Sequence, residues 1–277
     1  MSRREILRSL LALLALPATG ATAGPPDQRL VSIGGGVTET IFALGEGGRL
    51  VGVDTTSTYP ETARALPTVG YQHTLPLEGI AALRPSALLH DGSAGPERTL
   101  RRLERMGIDE IVLPGEPGFE GFRARTLSLG DLFGRRDEAQ KIIDSVATEL
   151  EAVRRKTPSE APRAVFLMSH GEGATVAAGR ATKADALLQL AGGRNVFSEF
   201  EGYRPVSVEA LMQKHPDAVL TTGAAATDAA LRGVPTLQGD TLFWLGFGPR
   251  LGQAVSEVAT FLQRAVAHDT GHRSPIA

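Results

Sequence analysis

The stretch DEAQKIIDSVATELEAVRRK, residues 137–156, lies in the middle of a 277-residue chain and contains neither glycine nor proline. Its apolar residues recur every three or four positions and form one stripe along a helix: Ala139, Ile142, Ile143, Val146, Leu150 and Val153. Pro158 and Pro162 then end the pattern. We predict the longest helix of the chain here, acting as a rigid connector between two halves. A crossover helix inside one domain fits the same pattern.

Short apolar runs alternate with amphipathic stretches on both sides of this helix. The runs, typical of strands buried on both faces, are Leu30–Ile33, Leu50–Val53, Ala87–Leu89, Ile111–Leu113, Ala164–Met168 and Ala218–Leu220. The helical stretches are Val37–Leu44, Glu97–Met106, Ala184–Ala191 and Gln253–Ala267. This alternation predicts an α/β fold of two Rossmann-like lobes with parallel sheets, joined by a single long connector helix. The predicted ranges are 1–23 (signal peptide), 24–132 (N-terminal lobe), 133–158 (connector), 159–267 (C-terminal lobe) and 268–277 (disordered tail).

The two halves repeat one local pattern. Residues 78–89 read EGIAALRPSALL and residues 209–220 read EALMQKHPDAVL. In both, a glutamate opens a short apolar helix, and a proline seven positions later ends it. The repeat indicates two lobes of similar build. Because the helix dipole favours a carboxylate at a helix start, simple capping also explains Glu78 and Glu209.

The N-terminus has the pattern of a secretory signal peptide. Arg3, Arg4 and Arg8 precede or enter an apolar run, residues 10–16, and Ala21-Thr22-Ala23 follows it. The run is shorter than the roughly 20 residues that a membrane span needs, so an N-terminal anchor helix is the less favoured alternative. We predict cleavage after Ala23 and a mature chain free in the periplasm, without a later membrane span.

Composition narrows the classes of function. A formal net charge of −2 gives no reason to expect nucleic acid or a polybasic membrane contact. The chain has no cysteine, which excludes disulfides, thiolate metal sites, a cysteine nucleophile and a lipid-anchored N-terminal cysteine.

Motifs of enzymes are missing from the sequence. Gly34-Gly35-Gly36 lies between a predicted strand and a predicted helix, but Glu39 occupies the position of the last glycine in a dinucleotide-binding loop. Ser169-His170 lacks the surrounding glycines of a nucleophile elbow. A nucleotide-dependent α/β enzyme is therefore the weaker alternative, and we expect a binding protein.

The stretch Gly70-Tyr71-Gln72-His73 is a candidate ligand site. Glycine and proline residues around it place Tyr71 on a loop, and loops at the carboxyl edge of a sheet bind ligands in α/β proteins. A phenolate suits ferric iron, and tyrosine is an axial ligand of haem. A donor such as His73 would stabilise that phenolate. An exposed tyrosine hydrogen-bonded in a loop is the commoner case.

From about Arg29 to Val266 the chain resembles the periplasmic haem-binding proteins of ABC haem uptake systems, which are class III substrate-binding proteins. The matching pieces are RLVSIGGG (29–36), TETI (38–41), GVDTTS (52–57), LPTVGY (66–71), LEGI (77–80), AAGRATKADA (177–186), AGGRN (191–195), GYRPVS (202–207) and LGFGPR (245–250). The glycine-rich pieces are weak alone, but their order is specific.

The resemblance implies that Tyr71 binds the haem iron. Relatives often carry an arginine two positions later, where this chain has His73. The resemblance also places Tyr203 and Arg204 among the haem-binding residues. Some relatives hold two stacked haems, the second bound by a histidine of the other lobe. His170 matches that position, so one or two ferric haems are expected; an ordinary loop histidine is the alternative.

The resemblance further implies partners. Glu78 and Glu209 match the two glutamates that dock on an ABC permease and ATPase complex, and an outer-membrane receptor would supply the haem to a monomeric chain. The segment 222–245 is shorter than the corresponding segment of relatives, which carries a basic residue near the haem. Arg232 is the candidate substitute for that residue. Cobalamin or a ferric siderophore is the alternative ligand for the same architecture.

Overall fold

The structure, a computed structural model, describes residues 28–157, 160–168, 175–222 and 233–270. The predicted signal peptide therefore lies outside the described residues. The described strands are β1 Leu30–Ser32, β2 Leu50–Val53, β3 Ala87–His90, β4 Asp109–Val112, β5 Arg163–Met168, β6 Val176–Ala178, β7 Arg194–Asn195, β8 Tyr203–Pro205, β9 Ala218–Thr222 and β10 Thr236–Gly239. The described α-helices are α1 Gly35–Ala43, α2 Leu77–Ala82, α3 Glu97–Arg105, α4 Phe119–Phe133, α5 Arg136–Arg154, α6 Lys183–Leu190, α7 Val208–Gln213, α8 Thr241–Leu245 and α9 Leu251–Thr270.

The first lobe contains a parallel sheet in the order β2-β1-β3-β4. Alternate residues of its central strands enter two separate cores because successive side chains in a strand point to opposite faces. Leu30 belongs to the core that includes α1, whereas its neighbour Val31 belongs to the core that includes α2 and α3. Helices thus cover both faces, as the apolar strands predicted.

The second lobe contains a mixed sheet in the order β10-β9-β5-β6-β8, with β7 also pairing with β5. Strands β10, β9, β5 and β7 run parallel. Strand β6 pairs antiparallel with β5, and β8 pairs antiparallel with β6. The predicted two-lobed α/β fold is confirmed, but the sequence analysis did not predict this antiparallel edge. Strand β8 is only three residues long, all three are exposed and the last is Pro205, so it lacks the apolar run of a buried strand.

Helix α5 lies within the predicted connector and contacts the cores of both lobes. Ala139, in its first turn, belongs to a core of the first lobe, whereas Ile143, Val146 and Val153 belong to the main core of the second lobe. The prediction that this is the longest helix is wrong. Helix α9 has 20 residues against 19 in α5, because it extends the predicted helix at both ends and reaches three residues into the predicted tail.

The repeated pattern has the same structure in both lobes. Each short helix is followed by a residue in the left-handed region, Arg84 with φ 46° and His215 with φ 44°, and then by proline and a strand. The Arg29 guanidinium donates to the carbonyl oxygen of Leu83 at 2.9 Å. In the second lobe, Arg163 donates to the equivalent carbonyl of Lys214. The repeat in the sequence therefore corresponds to a repeat in the structure.

Consecutive glycines at the start of α1 allow the lobes to approach closely. A Cβ on Gly36 would lie 1.8 Å from the carbonyl oxygen of Gly246, and a Cβ on Gly35 would lie 2.3 Å from Leu242. The backbone N–H groups of Gly34 and Gly35 donate to side-chain oxygens of Asp54 and Thr56, both at 3.0 Å. These glycines therefore serve lobe packing, and the helix start is already occupied by protein oxygens.

We expect Gly36→Ala to destabilise the chain by about 1–3 kcal/mol, because the new methyl group cannot fit without separating the lobes. Urea unfolding measures the change. Gly48→Ala is the matched control, since nothing lies within 4 Å of its added Cβ. Equal stability of the two variants would contradict this account of the glycine contact.

Candidate ligand-binding cleft

Tyr71 lies on a turn whose backbone is fixed while its side chain is open. The carbonyl of Gly70 accepts the N–H of Thr55 at 2.9 Å, and the carbonyl of Gln72 accepts the N–H of Gly95 at 2.8 Å. The Tyr71 side chain nevertheless remains 40% exposed. Among the described residues, none forms a hydrogen bond with its phenol oxygen. The loop thus presents a fixed phenol that a ligand can reach.

His73 lies beside Tyr71, and the contact between them is made by the two rings. The ring centroids lie 5.2 Å apart and the planes are nearly perpendicular, at 86°. Nε2 of His73 lies 3.3 Å from Nε2 of Gln72. Within the described contacts, His73 supports the aromatic ring and does not donate to the phenol oxygen. The predicted stabilisation of a phenolate by His73 therefore stays a prediction.

Tyr203 and Arg204 lie on strand β8, at the antiparallel edge of the second lobe. Tyr203 is 42% exposed, and loss of water around its hydroxyl end raises the pKa of the phenol, against the effect of Thr182 and the backbone of Ala184. The guanidinium of Arg204 lies 5.1 Å from the ring centre of Phe200. This edge therefore supplies a neutral phenol and an exposed cation. His170 and Arg232 lie outside the described residues.

An ion pair between Asp91 and Lys183 crosses from one lobe to the other. Nζ of Lys183 lies 2.8 Å from Oδ2 of Asp91, and the two side chains are 28% and 7% exposed. Asp91 follows β3, and Lys183 is the first residue of α6. The sequence analysis missed this pair because 92 positions separate the partners and no local spacing marks such a contact.

This ion pair lies between the segments that carry the two tyrosines. On its first-lobe side, Oδ1 of Asp91 and Oε1 of Gln72, the neighbour of Tyr71, both lie within 4 Å of the position that a Cβ on Gly34 would take. On its second-lobe side, the residues flanking Lys183 contact the phenol of Tyr203. The segments that carry Tyr71 and Tyr203 therefore lie on opposite sides of one contact between the lobes.

A second set of contacts joins the lobes beside α1. Glu39 accepts two bonds from the Arg250 guanidinium, at 3.0 and 2.8 Å, and one from the Arg250 backbone N–H at 3.1 Å. The same guanidinium lies 3.6 Å from the ring centre of Tyr59. The buried Arg125 donates to the carbonyl of Phe247 at 2.6 Å. Glu39, which breaks the glycine motif in the sequence, therefore joins the lobes.

Residues 30–239 match the family model described as periplasmic binding protein. The chain belongs to this family. A solved periplasmic heme-binding protein from Pseudomonas aeruginosa is 34% identical, with 85% of this chain and 93% of that chain covered and a TM-score of 0.75. The periplasmic heme-binding protein BhuT, solved with two hemes, is 33% identical, with 86% and 99% covered and a TM-score of 0.78. A vitamin B12-binding protein from Vibrio campbellii is 26% identical over 218 residues, 78% of each chain.

These likenesses confirm the predicted class III architecture for this periplasmic binding protein. Members of the family are substrate-binding proteins of transport, in agreement with the missing enzyme motifs. Within the ranges that the structure describes, no helix combines the length and the apolar character needed to cross a membrane.

The Asp91–Lys183 pair makes stability depend on pH. Burial alone would raise the pKa of Asp91, but Lys183, together with Ser93 and Arg125, lowers it to about 2. The lowered pKa stabilises the folded state above about pH 4, and this contribution disappears as pH falls towards 2. We expect Asp91→Asn to lower the free energy of unfolding by about 2 kcal/mol near neutral pH, and by progressively less below pH 4. Urea unfolding at each pH measures the difference.

Asp131→Asn is the control for this measurement, because Asp131 pairs with Arg136 on the surface, where both side chains are more than half exposed. Its effect should be near zero at every pH. A loss in Asp91→Asn that stays constant from pH 7 to pH 2.5 would contradict the assignment.

Proposed function

We propose that this chain captures ferric haem in the cleft between its lobes and delivers it to an ABC permease. The observation that carries the proposal is the exposed phenol of Tyr71 on a fixed loop. The similarity to periplasmic heme-binding proteins at 33% and 34% identity supports it. A phenolate is a hard anionic ligand for ferric iron, so an accessible tyrosine at the mouth of a cleft suits this cargo.

The proposed roles follow from where the side chains lie. Tyr71 supplies the oxygen that binds iron, and His73 packs on its ring and limits its orientation. Tyr203 and Arg204 form the opposite wall, where the cation of Arg204 suits a propionate of the haem. Apolar contact with the macrocycle supplies most of the affinity. His170 remains our proposed ligand for a second haem, so the cargo is one haem or two.

Cobalamin is the second candidate, since curated relatives at 26% and 27% identity are vitamin B12-binding proteins. The open phenol favours haem because the ferric iron of haem takes a phenolate as axial ligand, whereas the metal of cobalamin is cobalt and offers no ferric centre. Parallel absorption titrations with hemin and cyanocobalamin separate the two ligands. Saturable binding of cyanocobalamin alone would replace haem with cobalamin.

We expect Tyr71→Phe to weaken hemin binding at least tenfold and to remove the iron–phenolate charge-transfer absorption, because phenylalanine keeps the ring but has no oxygen. A hemin titration followed by absorption spectroscopy measures both. Tyr59→Phe is the matched control: Tyr59 is similarly exposed, at 43%, and its ring stacks on Arg250 without needing the hydroxyl. An unchanged spectrum in Tyr71→Phe would exclude Tyr71 as the ligand.

Delivery is proposed to use the repeated helices. Glu78 in α2 and Glu209 in α7 are both exposed and occupy the same position in the two copies of the repeat. A hydrogen bond from its own backbone N–H and one from Ser207 lower the pKa of Glu209. Two carboxylates at equivalent positions fit a permease that offers two basic sites. Delivery to a permease requires that the chain lies in the periplasm. The predicted signal peptide and an outer-membrane receptor that supplies haem require the same location.

We expect the double variant Glu78→Ala with Glu209→Ala to bind hemin normally but to lose most transport, because only the contact with the permease is removed. Haem-dependent growth of an iron-limited strain, with hemin titration of the purified chain, measures the two properties. Glu104→Ala, on the exposed face of α3, is the control. Normal growth with the double variant would contradict docking through these helices.

A further inference from the structure

The ion pair between Asp91 and Lys183 is partly shielded from solvent. Its carboxylate is 7% exposed and its ammonium 28% exposed. Charges at this depth are screened less than surface charges, and removing one partner leaves the other charge buried without compensation. The pair therefore resists separation more than the exposed ion pairs of the surface do.

The Asp91 end of the pair is held by its own lobe. The carbonyl of Asp91 packs so closely on Gly115 that a Cβ there would lie 2.0 Å from the oxygen. The next residue, Gly92, donates its backbone N–H to Nδ1 of His90 at 3.0 Å, and Nε2 of His90 contacts Glu110 at 2.8 Å. The carboxylate cannot follow a moving second lobe unless these contacts break.

The Lys183 end is held by the second lobe. Thr182 caps α6 by accepting the backbone N–H of Asp185 at 3.0 Å, and it donates to the carbonyl of Gly179 at 2.9 Å. The same Thr182 contacts the phenol of Tyr203. The position of the ammonium is therefore tied to the position of Tyr203 in the opposite wall of the cleft.

The second oxygen of Asp91 lies near the start of α1. Oδ1 is buried and has no hydrogen-bond partner among the described residues. It lies 3.7 Å, and Oε1 of Gln72 lies 3.8 Å, from the Cβ position built on Gly34. Oδ1 of Asp91 and the side chain of Gln72, the neighbour of Tyr71, thus both approach the start of α1 at Gly34.

We infer that Asp91 and Lys183 are positioning residues that hold the two walls of the cleft at the spacing that retains the ligand. We call this pair the cleft latch. The part of this inference that concerns the ligand rests on the proposed haem function. The part that concerns lobe spacing is independent of any ligand, so the two can fail separately.

The spacing of the lobes can be measured without hemin. The chain has no cysteine, so Glu104→Cys in α3 and Thr260→Cys in α9 place one spin label on each lobe. We expect Lys183→Met to broaden the distance distribution between the labels and to shift it to longer values. Lys214→Met is the matched control, because Lys214 pairs with Glu199 inside the second lobe. Equal distributions in the two variants would overturn the latch.

Retention of the ligand is measured by transfer of hemin to an excess of a haem-free scavenger protein. We expect Lys183→Met to lose hemin about tenfold faster than the unmodified chain, with the Tyr71 charge-transfer absorption retained, and Lys214→Met to show no change. Lys183→Arg keeps the cation opposite Asp91 and should retain slow loss of hemin, so the two variants separate loss of the charge from loss of packing.

Other results are equally decisive. Faster hemin association with unchanged loss would overturn the positioning role, as would loss in Lys183→Arg as fast as in Lys183→Met. If the unmodified chain binds no hemin, the proposed haem function fails, while the distance measurement still decides whether the latch sets the lobe spacing. If Lys183→Met does not fold, Asp91→Asn, which removes the charge on the other side of the pair, carries both measurements.

Discussion

The close approach of the two lobes over the first turn of α1 is the constraint on which the cleft depends. Only glycine fits at Gly36, where the backbone of Gly246 occupies the space of a side chain. One turn later, Glu39 accepts three bonds from Arg250, with its own side chain only 5% exposed. Since a buried charge without its partner is costly, this contact fixes the lobes at one side of the cleft.

The cores make the same arrangement hard to change. Phe122 of α4 and Ile143 of α5 pack in the main core of the second lobe, while Phe133 of α4 and Ala139 of α5 pack in a core of the first. A large opening would expose apolar surface at both helices and would cost free energy in proportion to that area. The cleft is therefore preformed, and a preformed site spends less of its binding energy on ordering.

The sequence predicted what local patterns encode. Five of the six predicted buried strands, the α5 stripe, the repeat and the Tyr71 loop each rest on residues close together in the chain, and the structure contains them. The sixth prediction, a buried strand at Ile111–Leu113, is wrong, because β4 is an edge strand with Val112 61% exposed. Such local patterns do not predict contacts between segments that are distant in the chain. The pair of Asp91 with Lys183 and that of Glu39 with Arg250 join positions 92 and 211 residues apart. The strand β8 was missed for another reason: three exposed residues at a sheet edge carry no apolar signal.

The two lobes are alike at the helices that we propose dock on a permease, and different at the edges that we propose bind the ligand. Arg29 and Arg163 hold the ends of α2 and α7 through equivalent carbonyls, so both acidic helices keep the same orientation on their sheets. The ligand-facing edges differ, because a loop carries Tyr71 in the first lobe whereas the antiparallel strand β8 carries Tyr203 in the second. A partner with two equivalent halves requires the first kind of symmetry. A ligand held by one iron–oxygen bond requires only one suitable phenol, so the second wall is free to recognise its other groups.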